Sequence, residues 1–185
     1  MFYGFLTLRT AGFIVGLLLL VLHGLALVHA DGFRAWLKQL PRSKTVGNIL
    51  ITLDAVWAFV LVATMDLGEF TTYRRLILVV VAVAYFLFIK FVDEFLAARA
   101  LGILCLLAAE PILEAAFLRP ETSRLLLVVL AYVWVVLGMF WVGMPYVLRN
   151  QIDWLLKSSA RWRWGCYAGL AYGLVLVILP ATRFR

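Results

Sequence analysis

Acidic residues are scarce in this chain. Aspartate and glutamate number 10 in 185 residues, against 17 lysines and arginines, and charged residues make up 15%. A soluble domain carries about 25%. Histidine and cysteine are scarcer still, at two each: His23, His29, Cys105 and Cys166. That supply argues against a metal centre of imidazoles and thiolates. A bis-histidine haem is disfavoured as well, because positions 23 and 29 lie about 240° apart around a helix, at 100° per residue. A single axial His23 is the one haem arrangement left open. Both cysteines fall inside apolar runs, where they are small buried hydrophobes and not a disulfide framework. The sequence has no nucleophile elbow, Walker loop or zinc-protease helix. It also has no low-complexity tract, no convincing internal repeat and no soluble domain. No cofactor and no metal is expected.

What the chain has in excess is apolar residues, 65% of the total, with a mean hydropathy of +1.02. They are too many for one soluble core, and they come in long runs. A bilayer crossing needs roughly 20 mostly apolar residues in helical form. The fold class expected is therefore an all-α polytopic transmembrane bundle. The net charge of +7 would point to nucleic acid in a soluble protein. With no basic extramembrane domain to bind it, no nucleic-acid partner is expected. The excess suits loops that face anionic headgroups.

Six runs read as spans: 11–30, 45–65, 76–92, 95–118, 125–148 and 164–182. The first is free of charged residues for 20 positions. Val28-His29-Ala30 resembles a signal-peptidase site, but the run exceeds the usual 7–15 residue core of a signal peptide, so a span is expected. The third and fourth runs are separated only by KFVDEFLAAR. One helix over 76–118 would be about 64 Å long, twice the bilayer core. A tight hairpin with Asp93 as N-cap is expected instead; five spans with one broken helix is the alternative. Lys90 and Glu94 read as a local i, i+4 ion pair.

Two connections are amphipathic. In DGFRAWLKQLP, Phe33, Trp36, Leu37 and Leu40 share one face while Arg34 and Lys38 lie elsewhere, and Pro41 ends the helix. NQIDWLLKSSARWRW sets Ile152, Leu155 and Leu156 against Lys157, Arg161 and Arg163. Both should lie in the membrane interface, with Trp36, Trp154, Trp162 and Trp164 in the aromatic belt. Ordinary anchoring and a dedicated lipid-headgroup site are both open. In a six-span chain these connections share a side. That side carries ten cations (Arg34, Lys38, Arg42, Lys44, Lys90, Arg99, Arg149, Lys157, Arg161, Arg163), against seven on the other. The positive-inside rule then places both termini outside the cytoplasm. An integral location in a membrane of the bacterial cytoplasmic type is expected.

The candidates for chemistry are ionisable groups inside runs, where a charge is costly. Asp54 and His23 fall near mid-depth, and Glu110 about 5 Å from it. Lying on three different spans, the three could meet. Glu114 shares a helix face with Glu110. Two such carboxylates in low dielectric cannot easily both ionise, so one should hold its proton. Pro111 frees the carbonyl of Leu107 beside them, and a freed carbonyl among acids can serve a cation or proton. The alternative is neutral acids hydrogen-bonded across helices for packing alone. Gly165, Gly169 and Gly173 give the last span a small face for close helix packing, within the chain or between subunits.

Three functions fit these residues. Proton- or cation-handling transport or conduction leads, with Asp54 and Glu110 as the site. A non-catalytic accessory or assembly subunit, in a homo-oligomer or with other membrane subunits, is the alternative. An intramembrane lipid-modifying enzyme with Glu110 or Glu114 as general base is the third.

Overall fold

Long apolar runs, closed at their ends by capping residues and prolines, give eight α-helices and no strand among the described residues. The computed structural model describes residues 6–92 and 94–183, with backbone alone for 180–183. The helices are α1 (Leu8–Val28), α2 (Ala30–Gln39), α3 (Lys44–Thr64), α4 (Arg74–Phe91), α5 (Leu96–Ala116), α6 (Arg124–Gly143), α7 (Tyr146–Leu156) and α8 (Ser159–Arg183). Two 3-10 turns, Leu40–Arg42 and Gly68–Tyr73, join α2 to α3 and α3 to α4. Thr7 caps α1 by accepting from Thr10 N, and Ser43 caps α3 by accepting from Val46 N. These caps satisfy amides that have no partner within a helix.

Among the described residues, five helices are long and apolar enough to cross a membrane: α1, α3, α5, α6 and the segment Ser159–Leu179 of α8. The protein is an integral membrane protein of helical type. α4 has 18 residues but carries Arg74, Arg75 and Lys90 at its ends.

Helix boundaries depart from the apolar runs where backbone chemistry intervenes. The fifth run does not continue to 148: α6 stops at Gly143, and Met144 leaves helical geometry at φ −130°, ψ 71°. The cause is Pro145, which disfavours helical backbone in the residue before it and then serves as N-cap of α7. The last helix starts at Ser159, earlier than 164, and takes Trp162 and Trp164 into its first turns. The region 76–118 is two helices. α4 ends at Phe91, and Phe95 opens α5 from a left-handed conformation, φ 56°. Lys90 and Glu94 are therefore not neighbours on one helix; the Lys90 ammonium sits over the Phe91 ring instead, 5.6 Å from the centroid. Asp93, expected as an N-cap, lies outside the described residues.

Packing follows small residues. α1 and α8 run antiparallel, with Gly16 against Gly173, the His23 ring against Gly169, and Ala26 against Trp162. α5 and α6 are antiparallel through Gly102 and Gly138. α3 runs parallel to α5, with Gly47 seated on Leu96 and Ala97. α5 is the hub: Ala97, Ala98, Ala100, Ala109, Ala115 and Ala116 are all buried, and α3 and α6 flank it. α4 buries no residue and rests on α3, where Tyr85 OH and Thr52 Oγ1 are 3.1 Å apart. These directions gather α2, α7, the first turns of α3, α5 and α8, and their cations at one end, here the basic end. There Leu40, Ala98, Leu148 and Ile152 form a cluster with Leu37 and Leu156.

Candidate functional site

α3 turns one face to the hub. Gly47, Ile51, Asp54 and Leu61 recur at helical spacing, and all four are buried. Gly47 brings the backbones together, since a Cβ there would stand 2.9 Å from the Ala97 nitrogen. Ile51 fills the next turn against Leu96 and Ala100. Asp54 comes next on the same face, eleventh in a helix of 21, and is 2% exposed. Neither carboxyl oxygen has a hydrogen-bond partner among the described residues. The Cys105 thiol of α5 lies within electrostatic reach. Cys105 escapes sequence reasoning, because nothing in the apolar residues around it marks which side of α5 meets Asp54.

Glu110 and Glu114 stand elsewhere along the same helix pair. With Thr64, Met65 and Asp66 of the α3 end, they line a cleft of about 840 Å³ whose back wall includes Leu106, Ala109 and Val135. Glu110 is exposed and Glu114 half-buried. Asp54 does not line this cleft. At the helical rise, Glu110 lies about 7.5 Å further along α5 than Cys105. Two arginines cap the helices that frame the opening. Arg74 Nη2 donates to the Met65 carbonyl at 2.7 Å, and Arg124 Nη1 to the Ala116 carbonyl at 3.2 Å. Cations at helix C-termini complement the negative end of the helix dipole.

His23 belongs to neither group. Its Nδ1–H donates to the Leu19 carbonyl at 2.8 Å, since a carbonyl can only accept, and the rest of the ring lies against Gly169. The structure thus places His23 in the α1–α8 seam and Asp54 in the α3–α5 seam, and does not bring them together. No three His, Cys, Asp or Glu side chains gather in metal-binding array among the described residues.

The glycines divide similarly. Gly169 and Gly173 both touch α1, where a Cβ on Gly173 would stand 2.9 Å from the Gly16 carbonyl oxygen. Gly165 meets only the tip of Leu155, at an ordinary 3.4 Å. The tight pair Gly102–Gly138 lies on two different helices and carries no GxxxG signal. At the basic end, Arg34 stacks over Trp162 at 5.3 Å and Arg161 over Trp154 at 4.9 Å. Trp36, Lys38, Trp154 and Trp164 are exposed, and Lys157 is exposed between α7 and α8. Comparison with family models, with curated proteins and with solved structures finds no match to this chain.

Proposed function

We propose that this chain is a six-span membrane protein that moves protons through the α3–α5 seam, with Asp54 as the group that binds and releases them. In this reading α4 is the sixth span, its three cations reaching the two surfaces, and α2 and α7 lie in the interface at the basic end. That end faces the cytoplasm, by the excess of cations it carries.

One observation carries the proposal: a buried carboxyl at the centre of a spanning helix with no hydrogen-bond partner among the described residues. A packing acid would be paired across helices, because an unsatisfied buried polar group costs about 1–3 kcal/mol. Selection retains such a cost where the group acts. A proton suits the site better than a metal cation. A hard cation takes six or more oxygens, and no group of three His, Cys, Asp or Glu side chains that could hold one is found among the described residues. The acidic cleft supplies the way in from the opposite end, where Asp66 and Glu114 come first and Glu110 is the carboxyl of its lining nearest Cys105 along α5.

Purified protein in liposomes carrying an internal pH dye, driven by a potassium diffusion potential, tests this. Wild type should acidify or alkalinise the lumen according to the sign of the potential. Asp54→Asn should stop the flux with the helical content unchanged, since the amide keeps the shape but exchanges no proton. Undiminished flux in Asp54→Asn, or no flux in wild type, refutes the proposal.

A second reading, an accessory or assembly subunit, is favoured by the exposure of Glu110. An exposed Glu110 at that depth suits cover by another subunit or a second copy. Stoichiometric copurification of a membrane partner that Glu110→Ala releases would support it.

A further inference from the structure

Three helices meet at the basic end in a corner that proton movement does not use. Arg34, on the second turn of α2, lays its guanidinium over the Trp162 indole of α8, with Cζ 5.3 Å from the ring centroid. The indole is fixed. Trp162 is 3% exposed, its Nε1–H donates to the Ala26 carbonyl of α1 at 3.2 Å, and Phe33 flanks it at 6.0 Å between centroids. The Arg34 Nε is buried and has no hydrogen-bond partner among the described residues. Nearby, Arg161 is held over Trp154, its Nη1 donating to the Trp154 carbonyl at 2.9 Å. A guanidinium so placed has its plane set in advance by the ring beneath it.

We propose that this corner binds the phosphodiester of an anionic phospholipid, with Arg34 gripping the phosphate and Trp162 as its floor. Charge complementarity selects the ligand. The end is strongly basic, and the cytoplasmic leaflet supplies phosphates and net negative charge at that level. A planar guanidinium fork matches two phosphate oxygens, which an ammonium cannot do. The exposed indoles of Trp36 and Trp154 belong at headgroup depth. Phe33, Leu37, Leu155 and Leu156 form the apolar lining beneath, suited to the glycerol and first methylenes. The proposal rests on α2 and α7 lying at the membrane surface, and not on proton movement.

The full chain in mild detergent is titrated with dioleoylphosphatidylglycerol, dioleoylphosphatidylcholine or inorganic phosphate, and bound lipid is counted by native mass spectrometry. One phosphatidylglycerol should be retained per chain, with roughly tenfold preference over phosphatidylcholine, the scale of one charge-assisted hydrogen-bond pair. Arg34→Gln should abolish the preference, and Arg163→Gln, which removes the same charge from the same end, should leave it. Arg34→Lys keeps the charge and should still lose most of the preference, so the proposal is tested even if Arg34→Gln fails to assemble. Equal retention of both lipids, or equal loss in Arg34→Gln and Arg163→Gln, overturns the site. Displacement by millimolar inorganic phosphate overturns it also, by showing a soluble-anion site. A nitroxide on Gly32→Cys, with both native cysteines changed to alanine, reports the depth of α2 separately. A label in bulk water removes the surface placement and the site with it; a label at headgroup level without lipid preference removes the site alone.

Discussion

Alanine at Gly138 should loosen the hub, by an amount that the geometry bounds. A Cβ at Gly138 would stand 2.7 Å from the Gly102 carbonyl oxygen, where ordinary contact begins at 3.4 Å. The obstacle is backbone on a packed helix, which cannot rotate away as the neighbouring Leu106 can. α5 and α6 must therefore part by about 0.7 Å locally, and a gap of that size forfeits a quarter to a half of each dispersion contact. With on the order of 40 atom pairs at about 0.1–0.2 kcal/mol each, the loss is about 2 kcal/mol. Overpacking typically costs 1–3 kcal/mol, which agrees. The better helix propensity of alanine returns about 0.5–1 kcal/mol. The net expectation is a destabilisation of about 1–1.5 kcal/mol. Gly24→Ala is the internal control, since a Cβ there meets nothing within 4 Å. It should gain about 0.5 kcal/mol from propensity alone. Reversible unfolding by dodecyl sulfate titration, followed by circular dichroism, measures both. If the two variants shift stability in the same direction, the close-approach argument for the α5–α6 seam is wrong.

Asp54→Leu should stabilise the fold by about 1–3 kcal/mol, because a similar volume replaces a buried acid without partners; a loss of stability in the same titration would show that Asp54 is paired. Gly169→Leu should destabilise α1–α8 packing, because the His23 ring occupies the space a side chain would need. His23→Ala in the same chain should relieve part of that loss, with a coupling of about 0.5–3 kcal/mol. Strict additivity in the double-mutant cycle would show that the two residues do not touch.

The helical membrane class and the approximate runs are legible because a bilayer demands length and apolarity, and the sequence displays both. Boundaries shift where single residues act on the backbone, as Pro145 does by ending α6 at Gly143. The pairing of helices is not legible, for a physical reason. A helix apolar on all sides carries no periodic mark of which face meets protein and which meets lipid. Overlapping GxxxG patterns point to Gly169 and Gly173, yet the equally close Gly102 and Gly138 leave no pattern, being single glycines on separate helices. The depth of Asp54 follows from its place in the run. Its lack of a partner does not, and neither does the position of Glu110 in an open cleft. The role of α5 has a signal in hindsight: seven of its residues are alanines, and small side chains let helices approach from several sides.

The α1–α8 seam also bears on how the protein is made. α1 is synthesised before its main partner α8, which emerges about 150 residues later, roughly 8–30 s at usual elongation rates. Through that interval the faces of Gly16 and His23 have no α8 to meet. α3 and α4, by contrast, can dock as soon as the hairpin between them closes. A nascent chain released before α8 would carry a complete hub with α1 held to it only through the cluster around Leu8 and Val15, and the imidazole of His23 turned toward whatever is beside it. The ribosome-bound intermediate is thus the state in which a membrane insertase or chaperone has something polar to hold.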